Sequence, residues 1–315
     1  MKLSVIIPCY NSTHVLVELV EKTIEELKKL PLDSWEFILV NDFSPHPDTI
    51  VLLRGLAATY PFVKVVDLAK NFGQANAQMA ALHYATGDLI LNMDDDMQTH
   101  PKNIPILFNK LMEGYDLVLG SYRQKRHSFF RRLLTKMGDK FDELCLERPK
   151  GMAFTSFWIT KKFVRDELIH YQYPFSYMEG LFLRTVRNIA NVEIEHFERK
   201  EGHSGYNLKK LVKLWSNFTN FTVMPLRIAG ILGGVSALLG FCYAVVTVIR
   251  KIMHPGMMAG YASLLCVMLL FFGITLICIG ALGEYVGRTF LCVNKSPQYV
   301  VRQTYNVDEK PKEEL

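Results

Sequence analysis

What this 315-residue chain lacks narrows its chemistry before any motif is read. Its six cysteines (Cys9, Cys145, Cys242, Cys266, Cys278, Cys292) form no CxxC pair, and three of them fall in strongly apolar stretches. That pattern argues against a zinc site or a disulfide framework and for a reducing compartment. No GxGxxG turn is present, and the first strand-like run ends in PCYN, which disfavours a nicotinamide enzyme. The net charge of +5 is too small to indicate a nucleic-acid partner, although it suits an anionic membrane surface. The opening MKLSVIIPCYN has too short an apolar run for a secretory signal and breaks at Pro8, so it is expected to form the first strand of a cytoplasmic domain. Charge is almost missing from two later stretches. Leu226 to Ile249 carries one basic residue near its start, and Tyr261 to Gly283 carries none.

What is there divides into two regions. Up to about residue 200, short β-branched runs (LSVIIP, FILVND, VKVVDL, DLILNMD, DLVLGS) alternate with helical spacing such as Val15 to Leu30 and Ile104 to Met112. Strands that read as continuous apolar runs are covered on both faces, and their alternation with helices predicts an α/β domain with a mainly parallel sheet. Ligands then bind beyond the carboxyl ends of the strands. The two uncharged stretches, about 226–249 and 261–283, are each long enough to cross a hydrocarbon core. Lys209, Lys210, Lys213, Arg227, Arg288, Lys295 and Arg302 flank the pair, against Arg250 and Lys251 in the connection, which predicts both termini in the cytoplasm. Between the regions, residues 207–224 set Leu208, Leu211, Val212, Leu214, Trp215 and Phe218 against Lys209, Lys210 and Lys213, the pattern of an interfacial helix. Gly230 with Gly234, and Gly283 with Gly287, have the spacing that permits close helix packing and a homo-oligomer.

The chemistry centres on LNMDDDMQTHP, residues 91–101. Three adjacent carboxylates at a strand end repel one another unless a cation sits among them. Strand phase sends Asp94 and Asp96 one way, with Gln98, and Asp95 the other. Two carboxylates on one side form a hard-oxygen site for Mg2+ or Mn2+ that also holds a diphosphate.

VIIPCYN, the VND ending at Asp42, the KNFG ending at Gly73, DDDMQ, HFERKEGHSGYNLKKL from residue 196 and LGEYVGRTFLCVNKSPQYVV from residue 282 stand in an order that resembles the family-2 glycosyltransferases acting on polyprenyl phosphates. The resemblance runs from about residue 3 to 302 and takes in the mannose, glucose and formamido-arabinose branches. It implies a GT-A, Rossmann-like catalytic domain at 1–206, the interfacial helix, two transmembrane helices within 225–283 and a cytoplasmic tail at 284–315. It also implies a multi-pass protein of the inner membrane. Its reaction is an inverting, metal-dependent transfer from a nucleotide sugar to undecaprenyl or another polyprenyl phosphate.

Carried over residue by residue, the resemblance places Pro8, Tyr10 and Asn11 in the first nucleotide-binding turn. Asp42 is at the base, Asn71 and Gly73 are in the next loop, and Asp94 and Asp95 are in the donor set. Asp96 and Gln98 are the metal partners, with Asp94 orienting ribose or sugar. Glu179 lies where relatives often place an acidic residue near the acceptor, and joins Asp94 and Asp96 as a catalytic candidate. Arg123, Arg126, Arg131, Arg132, Arg199 and Ser204 supply the acceptor-phosphate side, where an arginine fork suits an oxyanion.

The chain departs from the family pattern at Asn41, which replaces a frequent aspartate, at Thr99 and His100 after the acidic run, and at Gly205. A processive polysaccharide synthase of the same fold is the second reading, and it lacks support because no Arg-Trp pair is present. A non-catalytic membrane scaffold is the third. It would be expected to have lost the aspartates that this chain retains.

Overall fold

The computed structural model describes residues 1–122, 148–195, 224–253 and 260–307. Arg123, Arg126, Arg131, Arg132, Arg199, Ser204 and the expected interfacial helix lie outside them, apart from that helix's last residue. Two compact units result, Met1–Asn207 with Ser296–Leu315, and Leu208–Lys295.

The first unit is built on a sheet of strands β1 (Lys2–Cys9), β2 (Ser34–Asn41), β3 (Val63–Leu68), β4 (Leu89–Asn92), β5 (Leu117–Tyr122), β6 (Trp158–Lys161), β7 (Ile189–Ile194) and β8 (Val301–Tyr305). Their spatial order is β7-β5-β6-β4-β1-β2-β3-β8. β1 pairs in parallel with β2 and β4, β2 with β3, and β5 with β7. β6 and β8 run antiparallel to their neighbours. The continuous apolar runs are the central strands. Leu3, Val5, Ile7, Phe37, Leu39, Val65 and Leu91 are all fully buried in one core.

Helices α1 (Val15–Leu27), α2 (Pro47–Thr59), α3 (Gln74–Tyr84) and α4 (Ile104–Met112) follow the first four strands, and α5 (Lys162–Leu168) and α6 (Met178–Thr185) come later. α1 buries Leu16, Leu19, Val20, Thr23 and Leu27, a stripe at helical spacing, and α4 buries Ile104, Leu107, Phe108 and Leu111. Each such aliphatic or aromatic side chain contributes roughly 1.5–3 kcal/mol of transfer free energy.

The second unit contains α7 (Met224–Met253, 30 residues) and α8 (Tyr261–Val293, 33 residues). Cys278 Sγ donates to the Ala229 carbonyl at 3.6 Å, and the Gly240 backbone lies against Phe271. Contacts that advance along one helix therefore retreat along the other, which makes an antiparallel hairpin. Within this hairpin the close approach is made at Gly240, while Gly230, Gly234, Gly283 and Gly287 have open space around them. Arg250 and Lys251 belong to the last turns of α7 and not to the connection. Among the described residues, one helical stretch, Phe271–Val293, meets the length and hydropathy expected of a membrane span, and Ala229–Tyr243 is a shorter apolar stretch.

The C-terminal segment corrects the expected domain layout. Residues 284–315 were expected to be a separate tail, yet α8 continues to Val293 and Val301–Tyr305 is a strand of the catalytic sheet. β8 leaves a weak pattern in the sequence because none of its residues is fully buried and VRQTY carries little apolar content.

Opposite the ligand end of the strands, Glu36 is almost wholly buried and accepts from Lys2 Nζ (2.9 Å), Lys64 Nζ (2.9 Å), Ser4 Oγ (2.6 Å) and the Thr86 amide (2.7 Å). Burial alone raises its pKa, but the bonds from Lys64, Ser4, Thr86 and Lys2 outweigh it and hold the carboxyl at about 2. The stability this group contributes is present above its unfolded value of 4.5 and is lost as pH falls toward 2. Glu36→Gln is expected to cost about 2–3 kcal/mol at neutral pH and to flatten the acid limb between those values, as read by urea unfolding of the detergent-solubilised protein.

Candidate active site

The strand order places β1 and β4 side by side although β2 and β3 lie between them in sequence, so the direction of winding reverses between β1 and β4. A crevice opens at such a reversal beyond the carboxyl ends of the strands. β1 delivers Tyr10-Asn11-Ser12 there, and β4 delivers Asp94-Asp95-Asp96.

β4 ends at Asn92, before the aspartates, which occupy a turn. The two-residue alternation of a strand therefore does not reach them, and the expectation that Asp95 faces away is corrected. Its carboxylate accepts from the Ser12 hydroxyl and from the Tyr10 amide at 3.4 Å, joining the two sides of the crevice. Asp94 accepts from Gln74 Nε2 at 2.7 Å and from the Ser156 hydroxyl. Asp96 accepts from the Gln98 backbone N–H at 3.1 Å, and the turn is closed by Met97 at φ 59°. Burial, together with repulsion from Asp96 and Asp95, raises the Asp94 pKa to about 6 against the bonds from Ser156 and Gln74. Burial raises Asp95 as well.

This geometry suits a cation. Among the described residues no group of three His, Cys, Asp or Glu side chains encloses a metal by itself. A small divalent ion is commonly held by one or two carboxylates with substrate phosphates completing its shell, and crowded, desolvated aspartates at a sheet crevice match that arrangement.

The neighbouring wall is made at β2. Both carboxylate oxygens of Asp42 accept backbone amides, from Phe72 at 2.7 Å and Gly73 at 2.9 Å, while Asn71 Nδ2 donates to the Asp42 carbonyl at 3.2 Å. Asp42, Asn71 and Gly73 are thus brought together as expected, with Asp42 bracing the loop. Gly73 has φ 87°, a conformation a side chain would strain. Pro8 is buried inside β1, whereas Tyr10 is half exposed at the rim, and Phe43, next to Asp42, has φ 52°. The Asn11 Oδ1 atom is buried with no hydrogen-bond partner among the described residues, an acceptor beside the crevice.

Residues 4–169 match Glycosyl transferase family 2. The chain belongs to that family. It is similar to the undecaprenyl-phosphate 4-deoxy-4-formamido-L-arabinose transferase of Proteus mirabilis, with 30% identity over 290 residues covering 91% of this chain and 89% of the relative. Its fold is similar to that of glucosyl-3-phosphoglycerate synthase from Mycobacterium tuberculosis, solved with phosphoglyceric acid. That likeness has a TM-score of 0.51 and 18% identity, and covers 70% of this chain and 80% of that one. The sheet is accordingly the GT-A type expected of a family-2 glycosyltransferase.

Other positions in this family-2 glycosyltransferase carry different weights. Glu179, in the first turn of α6, accepts from Tyr177 Oη at 2.7 Å and lies 3.6 Å from Arg148 Nη1, both side chains being nearly buried. His100 accepts the Lys102 backbone amide at 3.2 Å and caps the short helix before α4. Burial and the charges of Lys22 and Lys102 lower its pKa, which favours the neutral acceptor. Its evident role is local structure. Ser12, Gln74 and Ser156 were not anticipated as site residues. Ser12 follows the recognised Asn11 and Gln74 follows Gly73, so adjacency was the available signal, while Ser156 meets Asp94 only through the tertiary fold.

Because the folded-state pKa of Asp94 is raised, ionisation of this group opposes folding. Its contribution is most favourable below 3.8 and is lost as pH rises through about 6. Asp94→Asn is expected to stabilise the metal-free protein at pH 7.5 by about 1–2 kcal/mol, with the difference vanishing near pH 4. Unfolding midpoints in chelator at the two pH values check this.

Proposed function

We propose that this family-2 glycosyltransferase moves a sugar, with inversion, from a nucleotide sugar to undecaprenyl or another polyprenyl phosphate at the cytoplasmic face of the inner membrane. The observation that carries the acceptor is the extent of the likeness to a transferase named for undecaprenyl phosphate. It spans 91% of this chain, well past the family region at 4–169.

Chain topology supports a membrane hairpin. β8 is hydrogen-bonded to β3, yet α7 and α8 intervene between β8 and the rest of the sheet. An odd number of crossings would put β8 across the bilayer from its partner. If Phe271–Val293 crosses, α7 crosses back, and its 30 residues extend roughly 45 Å at 1.5 Å per residue, enough for the hydrocarbon core. The loop between the helices is then external, in keeping with the excess of basic residues on the other side.

In this reading Asp96 and Gln98 hold Mg2+ or Mn2+ with the donor diphosphate, and Asp94 orients the ribose or sugar. Held there, such a cation would supply positive charge against that developing on the leaving nucleoside diphosphate. Asp42 keeps the Asn71–Gly73 loop in place for the base. A phosphate acceptor is already anionic at neutral pH, so alignment and desolvation can supply most of the rate without a strong base. Glu179, already engaged by Arg148 and Tyr177, shapes the acceptor end. Arg123, Arg126, Arg131, Arg132, Arg199 and Ser204 are assigned to the acceptor phosphate.

The purified protein in detergent is expected to release nucleoside diphosphate only when nucleotide sugar, polyprenyl phosphate and a divalent cation are all present. Full turnover in excess chelator would remove the metal from this reading. Asp96→Ala should lower turnover at least 100-fold without preventing membrane insertion. Arg131→Ala is expected to raise the KM for the lipid about tenfold. A change confined to the donor KM would move that arginine to the other side of the site. Mass spectrometry of the lipid product across a panel of nucleotide sugars identifies the sugar.

A further inference from the structure

The strand that returns after the long helices reaches the first donor-binding turn through an unbroken series of hydrogen bonds. Arg302 of β8 donates from Nε (2.8 Å) and Nη2 (2.6 Å) to Asp67 Oδ2 on β3. Asp67 is 1% exposed, and its other oxygen accepts from Asn41 Nδ2 at 2.8 Å. The Asn41 side-chain oxygen, Oδ1, accepts from the Ser44 hydroxyl (2.7 Å) and the Ser44 backbone amide (3.1 Å). Ser44 Oγ in turn accepts the Asn11 amide at 2.9 Å.

Donors and acceptors along this series are ordered in one direction. Ser44 spends its only hydroxyl hydrogen on Asn41 and so presents a lone pair to Asn11. Asn41 spends an amide hydrogen on Asp67 and so presents its carbonyl to Ser44. Asp67 accepts from both sides, and its buried charge is balanced by Arg302. Asn11 is held at φ 55°, a left-handed conformation that costs free energy unless its surroundings impose it. The series also explains why an amide stands at position 41. An aspartate there would set a second carboxylate against Asp67 and remove the donor between them.

The same segment braces other parts of the unit. Gln298 Nε2 donates to the Tyr171 carbonyl (3.1 Å) and Ser176 Oγ (2.7 Å), ahead of the helix carrying Glu179, and the Val300 carbonyl accepts the Ala69 amide at 2.8 Å. The Arg302 guanidinium also lies over the Phe43 ring, 5.6 Å from its centre, beside Asp42.

We propose that Arg302 is a positioning residue for the nucleotide donor, acting through Asp67, Asn41 and Ser44 on the Tyr10-Asn11-Ser12 turn. This rests on the donor side of the function proposed above. It does not depend on the identity of the acceptor.

The test is binding of uridine, guanosine and cytidine diphosphates, each with Mg2+, to the full-length protein in detergent by calorimetry. Turnover is then measured with the matching nucleotide sugar. Arg302→Ala is expected to weaken the tightest-binding diphosphate about tenfold and to raise the donor KM equally, with kcat and the lipid KM unchanged. Asp67→Asn added to Arg302→Ala removes the unpaired buried charge and should bring the Kd back to within about threefold of wild type. Arg302→Lys should fall between wild type and Arg302→Ala. Unchanged diphosphate affinity in Arg302→Ala overturns the proposal, as does a loss of kcat at constant donor KM, or wild-type protein that binds none of the diphosphates. Normal diphosphate binding with no transfer to any polyprenyl phosphate would instead sink the acceptor reading and leave the positioning role supported.

Discussion

Negative charge held out of water where β1 and β4 part is the constraint to which the rest of the catalytic unit conforms. Asp94, Asp95 and Asp96 lie in a turn beyond β4, and the fold supplies each with fixed donors: Gln74 and Ser156, Tyr10 and Ser12, and the Gln98 amide. These bonds reduce the desolvation penalty without cancelling it, as the raised pKa of Asp94 records. A site built this way favours any process that brings a cation to it. Besides Gln98 in the turn itself, the donors come from three separate segments, so the turn can exist in this form only when the sheet and its crossovers are in place.

The first unit also separates two kinds of buried carboxylate. Glu36, at the opposite end of the strands, is met by two lysines as well as neutral donors and stays ionised far into acid. Asp94 is met by neutral donors and by two more carboxylates, and its pKa is raised to about 6. Both groups are shielded from water, and the sign of their neighbours decides the difference. One carboxylate stabilises the sheet, whereas the other is kept in an energetically unfavourable state beside the crevice.

Reading the sequence located the parallel core because strands buried on both faces leave continuous apolar runs that need no tertiary knowledge. β1 to β5 were visible for that reason. β6 is only four residues long and β7 and β8 are only partly buried, so WITK, IANVEI and VRQTY give weak patterns. At the site, Asp94, Asp96, Asp42, Asn71 and Gly73 were legible from their places at strand ends and their likeness to a family. The orientation of Asp95 was misread because a strand period was extended past Asn92 into a turn. Asp67 and Ser156 could not be found by pattern, since each matters through a partner far away in sequence. Arg302 was counted as one basic residue beside a membrane segment, and its pairing across 235 positions appears only in the fold.

β8 has a consequence for the order in which the molecule is made. A ribosome releases Val301–Tyr305 only after both long helices have been synthesised, so β3 spends most of that time as the edge of an incomplete sheet. An open edge of this kind is a template for pairing with other chains. Lys64, one of the inward-reaching charges in VKVVDL, gives that edge some protection, but full cover comes last. Closure of the sheet is therefore coupled in time to completion of the helical hairpin.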